Sequence, residues 1–281
     1  MPGICYNNLV TQPPVVLTIA GSDSGGGSGL QADLRTFAAQ SIHGVCALTV
    51  VSSQNTEEFR SALAIPATVV RSQIEAVLDD FEVNVAKTGL LHSEENIRLI
   101  SEMADVGLLP PLVVDPVIVN RHGEPLYDTS TIELIRQDLI PKALVITPNH
   151  LEAMHLLGTE LDEDIEALSE AALRLAAMGP TVVVLTGGRR EASTMVDVVA
   201  YDGEVALLEA ERCSTNNVRG TGDTFSAAIA SGLAKGLSTL ESVSKAQTFT
   251  NEAVHRAANW TLGAGQGPIG HLEQSDIARL D

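Results

Sequence analysis

Aromatic residues, cysteines and basic residues are all scarce in this 281-residue chain. Aromatic residues make up only 3% of it although hydrophobic residues make up 44%, so its core must be built mainly from Val, Leu, Ile and Ala. The three cysteines, Cys5, Cys46 and Cys213, lie far apart and form no Cys-x-x-Cys pair. This spacing argues against a disulfide framework and against a structural zinc site.

The sequence also lacks a net positive charge and apolar runs of membrane-spanning length. The 17 Lys and Arg residues face 36 Asp and Glu residues, and the formal net charge of −19 repels nucleic acids and anionic membranes. No apolar run approaches the length of a membrane span, and the N-terminus lacks the basic-then-apolar order of a signal peptide. We therefore expect a cytoplasmic protein without nucleic-acid or membrane partners.

Short β-branched runs alternate with amphipathic stretches along the chain. Strands are predicted at "VVLTIAG", "VCALTVV", "VAKTG", "LVVD", "ALVIT" and "TVVVLT", followed by a hairpin that turns at Asp202 and Gly203. Helices are predicted at residues 68–79, 96–105, 132–139, 165–178, 221–235 and 240–261. Apolar strands separated by helices indicate an α/β fold, with helices on both faces of a mostly parallel sheet. Residues 1–281 are predicted to form one domain, with residues 1–13 and about 271–281 loosely held.

The stretch "GSDSGGGSGL" lies between a predicted strand and a predicted helix. Gly27, Gly29 and Ala32 satisfy the dinucleotide-binding pattern G-x-G-x-x-A, but the next strand ends in "SSQN", where that pattern needs an acidic residue for the ribose. A nicotinamide oxidoreductase is therefore a distant alternative. Two interpretations of the loop remain. It is either a tight turn for close helix packing or a ligand site around Asp23, at the strand end where open α/β sheets bind ligands.

A second glycine cluster, "RGTGDTF", begins at Arg219. Gly220 and Gly222 flank Thr221, and Asp223 follows at the start of a predicted helix. Small residues at a helix N-terminus leave several backbone amides free and so form an anion site. An ordinary helix start needs only a capping Asp or Thr, so two glycines beside an acid favour the anion site.

Two further acidic residues follow predicted strands. Asp115 ends "LVVD", while Asn149 and Glu152 begin a helix in "TPNHLEA", where they also fit a capping box. With Asp223, these carboxylates are expected at the C-terminal edge of one sheet, an arrangement that suits Mg²⁺ and nucleotide phosphates. The chain contains no Walker A motif, no protein-kinase signature and no His-Glu-x-x-His motif.

These motifs occur in an order that resembles a known family. The segments "LTIAGSDSGGGSGLQADLRTF", "SSQNT", "AKTGLL", "VVDPV", "ITPNHLEA" and "GTGDTFSAA" resemble the hydroxymethylpyrimidine and phosphomethylpyrimidine kinases of thiamine biosynthesis, over about residues 15–270. The resemblance implies the ribokinase-like fold, a three-layer sandwich shared with pyridoxal kinases. It also implies ATP-dependent phosphorylation of the hydroxymethyl group of 4-amino-5-hydroxymethyl-2-methylpyrimidine and, by analogy, of its monophosphate.

The resemblance further implies a role for each motif, with Asp223 as the base that faces the substrate hydroxyl. The implied catalytic residues are Asp223, Gly220, Thr221 and Gly222. The implied substrate residues, under a mobile flap at residues 119–127, are Gly21, Asp23, Gln54, Gly89 and Leu90. The implied ATP residues are Asn149, Thr186, Gly188, Gly220 and Gly222. Asp115 and Glu152 would organise Mg²⁺, mostly through water, a monovalent cation is left open as a second cofactor, and a homodimer is expected.

Two positions depart from the family pattern. Many hydroxymethylpyrimidine kinases have Cys in place of Asp223, and many have Lys before the glycine pair, where this chain has Thr186 before Gly187 and Gly188. These departures favour a pyridoxal kinase, whereas Gln54 matches the glutamine that hydrogen-bonds the aminopyrimidine. A pyrimidine kinase is thus the first prediction and a pyridoxal kinase the second. A catalytically silent pyrimidine- or vitamin-binding protein is a remote alternative.

Overall fold

The computed structural model describes residues 12–120, 122–188 and 193–272. Its strands within these ranges are β1 (Val15–Asp23), β2 (His43–Gln54), β3 (Phe59–Ala64), β4 (Val85–Thr88), β5 (Leu112–Val114), β6 (Val145–Ile146), β7 (Val182–Gly188), β8 (Thr194–Tyr201) and β9 (Glu204–Glu211). They form one sheet in the order β3-β2-β1-β4-β5-β6-β7-β8-β9. Strands β1, β2 and β4 to β7 run parallel, while β3, β8 and β9 pair antiparallel at the two sides.

Helices cover both faces of this sheet. They are α1 (Gly29–Ala39), α2 (Ala67–Leu78), α3 (Glu94–Asp105), α4 (Thr129–Leu134), α5 (His150–Leu157), α6 (Ile165–Ala176), α7 (Thr221–Ala234) and α8 (Thr239–Ala257). Helices α2 to α6 pack on one face, and α1, α7 and α8 pack on the other. The three-layer α/β fold predicted from the sequence is therefore confirmed.

Burial on both faces explains why the strands read as continuous apolar runs. Val113 of β5 packs toward α1, α7 and α8, whereas its neighbours Leu112 and Val114 pack toward the opposite helices. Successive side chains of a strand point to opposite faces, so a sheet covered on both sides needs apolar residues at every position.

Most predicted elements are present, and the boundaries differ for physical reasons. The hairpin turns at Asp202 and Gly203, whose φ angles of 48° and 77° suit a type I′ turn. The helix predicted at 132–139 begins earlier, because Asp128 caps α4 by accepting a hydrogen bond from the Thr131 amide. Its second half is a π-helical turn, Ile135–Leu139. The last predicted helix, 240–261, ends sooner, at Ala257.

Strand β3 is absent from the sequence prediction. All six of its residues are exposed, so it lacks the buried face that gives a strand its alternating pattern. It is held by antiparallel pairing with β2, which is a tertiary contact that a local pattern does not encode.

The segments expected to be loosely held, 1–13 and about 271–281, lie mostly outside the described residues. In the part of the chain that the structure describes, no helix is both long and apolar enough to span a lipid bilayer.

Candidate active site

The predicted site residues gather at one edge of the sheet. Asp23 is the last residue of β1 and Gln54 the last of β2, while Gly89 and Asp115 directly follow β4 and β5. Because these four strands are parallel, their carboxyl ends share the edge at which α/β sheets bind ligands. The N-terminus of α7 meets the same edge, where Ser226 Oγ lies 3.2 Å from Asp115 Oδ2.

The second glycine cluster forms the first turn of α7. Gly220 is its N-cap with φ of 83°, and the amide and hydroxyl of Thr221 both donate to the Val218 carbonyl oxygen. The amides of Gly220, Gly222 and Asp223 have no hydrogen-bond acceptor within the described residues. Free amides at a helix N-terminus attract anions. Gly220 and Gly222 therefore lie as an anion site requires, while the Thr221 hydroxyl is already engaged.

Asp23 connects the two glycine loops through hydrogen bonds. Its carboxylate is 2% exposed and accepts hydrogen bonds from the Gly25 amide, from Ser28 Oγ, and from Arg219 Nε and Nη2 at 3.0 and 2.9 Å. Burial alone would raise the pKa of Asp23, but the hydrogen bond from Ser28 and the charge of Arg219 hold it below its ordinary value. The structure thus gives Asp23 a positioning role, and direct contact with a substrate stays a prediction.

The two loops also meet through their backbones. A Cβ at Gly220 would clash with the carbonyl oxygen of Gly27, and a Cβ at Gly27 would lie 2.8 Å from Arg219 Cδ. A Cβ at Gly29 would likewise clash with the carbonyl oxygen of Gly21. The close-packing interpretation of the first loop is therefore supported, and it leaves ligand binding beside the loop open.

Gln54 has a side-chain amide without a hydrogen-bond partner among the described residues. Its backbone amide and carbonyl both bond to Ser24 Oγ, at 2.8 and 2.7 Å, which fixes the end of β2 against the first glycine loop. The other predicted substrate residues have internal contacts. The Leu90 carbonyl accepts from Thr49 Oγ1 at 2.6 Å, and Gly21 is buried, where a Cβ would lie 2.6 Å from the Val50 side chain.

Asp115 has one carboxylate oxygen without a donor in the described part of the chain. The residue is 6% exposed, and only its Oδ2 accepts a hydrogen bond, from Ser226. Burial raises the pKa of Asp115 well above its usual value, against the charge of Lys87 and together with the charges of Glu152 and Asp223. A carboxylate oxygen without a donor, on a residue that is almost buried, fits a cation that arrives with phosphates.

Glu152 has the capping role that the sequence offered, and its role toward Mg²⁺ stays a prediction. It forms the capping box of α5 with Asn149, and its Oε1 also accepts from the Ile118 amide at 3.0 Å. Burial raises the pKa of Glu152 to about 7, although backbone hydrogen bonds from Asn149 and Ile118 oppose this. Among the described residues no three His, Cys, Asp or Glu side chains converge to enclose a metal ion. Such an arrangement is compatible with Mg²⁺ held mostly through its water ligands.

The predicted ATP residues lie on adjacent segments of the same sheet edge. Asn149 and Thr186 form an isolated parallel bridge. Gly187 has φ of 83° and donates its amide to Asp197 Oδ1 at 3.1 Å. Asp197 also accepts from Gln247 of α8, so the turn at Thr186 is anchored to the helix layer. Residues 189–192, which follow Gly188, lie outside the described ranges.

Sequence reasoning missed Lys87, a fully buried lysine in β4. Its Nζ lies 2.8 and 2.9 Å from the two carboxylate oxygens of Asp33 in α1, and 3.7 Å from Asp223 Oδ1. Burial alone would lower the pKa of Lys87, but the carboxylates raise it, and burial raises the pKa of Asp33 to about 6. The pair is therefore ionised at neutral pH. The lysine within the apolar run "VAKTG" was the available signal, because a buried ammonium needs an acidic partner.

The segment predicted to be a flap, residues 119–127, forms a turn. Val119 bridges to Pro125, and Asn120 Oδ1 accepts two backbone amides within the turn. Tyr127 closes the segment by accepting the His92 amide at 2.9 Å. Arg121 lies outside the described residues, and a role over the substrate stays a prediction.

His271 packs beneath the first turn of α7. The side chain is 6% exposed, and its Nε2 lies 2.8 Å from Thr224 Oγ1. Burial lowers the pKa of His271 to about 4, and the charges of Arg35 and Arg256 act in the same direction. The imidazole beside the glycine cluster is therefore neutral at physiological pH.

This buried imidazole predicts a loss of stability in acid. The unfolded chain takes up a proton on His271 below about pH 6.5, whereas the folded chain does so only near pH 4. Relative to His271→Gln, the wild-type free energy of unfolding should therefore fall by about 2 kcal/mol between pH 7.5 and pH 5. Urea titrations of both proteins at each pH measure this difference. A pH-independent difference would mean that His271 takes up its proton at the same pH in the folded and unfolded states.

Comparisons with known proteins point to one family. A family profile described as phosphomethylpyrimidine kinase matches residues 23–270. A Streptomyces coelicolor hydroxymethylpyrimidine/phosphomethylpyrimidine kinase is 40% identical and covers 92% of this chain and 94% of its own length. An Arabidopsis thaliana chloroplastic thiamine biosynthetic bifunctional enzyme is 39% identical over 94% of this chain and 51% of its own length. A solved ADP complex of Bacillus subtilis pyridoxal kinase has a TM-score of 0.86 and 34% identity, over 96% of this chain and 100% of that one.

Proposed function

The chain belongs to the phosphomethylpyrimidine kinase family, and we propose on this premise that it transfers the γ-phosphoryl group of ATP to 4-amino-5-hydroxymethyl-2-methylpyrimidine. The same site would phosphorylate the resulting monophosphate to the diphosphate, in the biosynthesis of thiamine diphosphate. The observation that carries the proposal is the first turn of α7. Three backbone amides without an acceptor in the described part of the chain lie there with the carboxylate of Asp223, one helical turn from the Ser226 hydroxyl that bonds Asp115.

The proposed chemistry is an in-line displacement. The substrate hydroxyl oxygen attacks the γ-phosphorus, its proton passes to the carboxylate of Asp223, and ADP leaves. The free amides of Gly220 and Gly222 hold the charge of the transferring group. A loose transition state needs little early deprotonation, so positioning and charge neutralisation contribute most of the rate. Mg²⁺ accompanying ATP would be held by Asp115 and Glu152, largely through water, and would neutralise phosphate charge.

The unpaired amide of Gln54 supports the pyrimidine as the substrate. It lies at the end of β2 beside the first glycine loop, and its carbonyl and amino groups remain available to a ligand. A ring that bears an amino group next to a ring nitrogen offers one donor and one acceptor, which a primary amide can match. Asp223 and Thr186, together with the similarity to pyridoxal kinase, support pyridoxal as the second candidate.

One product analysis decides between these substrates. The purified chain is incubated with Mg²⁺ and ATP, in separate tubes with hydroxymethylpyrimidine, with its monophosphate and with pyridoxal, and the products are identified by mass spectrometry. We expect the pyrimidine monophosphate and diphosphate, with one ADP formed for each phosphoryl group transferred. Pyridoxal phosphate alone would replace the pyrimidine assignment by the second candidate.

A calorimetric titration in parallel addresses the remote alternative of a silent binding protein. Binding of the pyrimidine without ADP formation in any tube would establish that alternative and overturn the kinase assignment. The free amides in α7 and the acid at Asp223 argue against it, because pyrimidine binding alone needs neither.

Several wider features belong to the same proposal. One kinase domain over residues 1–281 is supported by the single sheet to which every described strand belongs. The net charge of −19 argues against nucleic-acid and anionic-membrane partners, and the cytoplasmic location stays a prediction. The homodimer, the monovalent cation and the flap at 119–127 rest on the family resemblance alone.

A further inference from the structure

Lys87 is the only lysine or arginine among the described residues that is buried. Its side chain is fully buried, and carboxylate oxygens of Asp33 and Asp223 both lie within 4 Å of its Nζ. The two acids differ in setting. Asp33 is fully buried within α1, whereas the Asp223 side chain is 17% exposed at the mouth of α7.

Packing alone does not account for an ammonium at this place. Burying a charge costs several kcal/mol, and an apolar pair of similar volume often stabilises a core equally well or better. The apolar residues on the sheet face around Lys87 are Val16, Val85 and Val113, and Thr18 is its direct neighbour on β1. A hydrophobic residue at position 87 would pack with these apolar residues, so packing does not explain why a charged residue is present.

The geometry makes Lys87 a fixed support rather than a mobile group. The Asp33 carboxylate accepts hydrogen bonds from both Lys87 Nζ and Thr18 Oγ1, at 2.8 and 2.6 Å. These contacts fix the position of the Lys87 ammonium. An ammonium has three N–H donors, and the two oxygens of Asp33 take two of them. The third is available for Asp223, 3.7 Å away.

Gly89 keeps the space beside this contact open. A Cβ at position 89 would lie 3.2 Å from Lys87 Nζ and 3.9 Å from Asp223 Oδ1. The ammonium and the carboxylate therefore meet next to a residue that the family resemblance assigns to the substrate side.

We propose that Lys87 is a positioning residue for phosphoryl transfer, because its ammonium, fixed by Asp33, holds the Asp223 carboxylate in place at the mouth of α7. This inference rests on the proposed function, in which Asp223 accepts the proton of the substrate hydroxyl. Misplacing a reacting group by 1 Å lowers a rate by about 100-fold, so the loss of this support should lower kcat.

The test compares Asp33→Asn with the double variant Lys87→Met/Asp33→Asn. These proteins differ only at residue 87, and neither contains a buried carboxylate at position 33 that has lost its cation. The single variant Lys87→Met should unfold at lower urea concentration than the double variant, because it leaves the charge of Asp33 unpaired. Calorimetric ADP affinity and urea midpoints show that the compared proteins are folded.

We expect the double variant to have a kcat about 10- to 100-fold below that of Asp33→Asn, with KM values for ATP and for the alcohol within about twofold. In an Asp223→Asn background the same change at residue 87 should have little effect, because the group that it positions is gone. Equal kcat values for the matched pair would overturn the proposal, as would an effect confined to KM or one that persists in the Asp223→Asn background.

The acceptor in these assays is whichever alcohol the wild-type chain phosphorylates. A wrong substrate assignment therefore appears in the wild-type reactions, whereas a wrong role for Lys87 appears only in the comparison of variants.

Discussion

Replacing Asp223 by alanine is expected to lower kcat by about 100- to 10,000-fold, the usual contribution of a general base, and to leave KM for ATP nearly unchanged. The reason lies in the first turn of α7. The nucleotide phosphates are proposed to bind backbone amides, which the substitution keeps, whereas the proton acceptor is the side chain that it removes. Steady-state rates with saturating ATP and acceptor measure the effect.

Two further variants make this result interpretable. Asp223→Asn keeps the shape of the side chain and should lose kcat to a similar extent. Asp164→Ala removes an acid from the start of α6, where Asp164 accepts the Ala167 amide, and should cost about 1 kcal/mol of stability without changing kcat. An unchanged kcat in Asp223→Ala would remove Asp223 from the chemistry.

Replacing Gly220 by alanine is expected to disrupt the junction of the two glycine loops. The new Cβ would clash with the carbonyl oxygen of Gly27, and the φ of 83° is strained for any residue with a side chain. Strain and overpacking each cost about 1–3 kcal/mol, so the free energy of unfolding should fall by about 3 kcal/mol or more. The affinity for ADP should fall as well, because the Gly220 amide belongs to the proposed anion site.

Gly236→Ala is the matched control at the other end of the same helix. Gly236 has φ of 79°, and a Cβ there would meet no atom within 4 Å. Only the backbone strain applies, so the free energy of unfolding should fall by about 1 kcal/mol while the ADP affinity stays unchanged. Equal losses of stability in the two variants would show that the loops separate without cost.

The fold could be predicted largely from the sequence because its determinants are local. The parallel strands are buried on both faces, and each reads as an apolar run, as "VVLTIAG" does. The hairpin at Asp202 and Gly203 carries its turn signal within two residues. Strand β3 carries no such signal, because all its residues are exposed and only its pairing with β2 makes it a strand.

The sequence predicted which residues lie at the candidate site, but it did not predict the ion pairs between them. Asp115, Glu152 and Asp223 each end or begin an element, and parallel strands bring such positions to one edge. The ion pairs that organise that edge join residues far apart in the chain, as Lys87 and Asp33 do across 54 positions. No local pattern states which acid a buried lysine will meet, so the pairing required the tertiary structure.

The ion pair between Asp23 and Arg219 can form only late in synthesis, because its two residues lie 196 positions apart in the chain. Arg219 leaves the exit tunnel 196 residues after Asp23, which corresponds to about 10 to 40 s at ordinary rates of translation. During that interval the end of β1 has a carboxylate without its cation, and the first glycine loop has no partner to pack against. A nascent or truncated chain that stops before residue 219 therefore lacks all of α7, including the backbone amides that are proposed to bind phosphate.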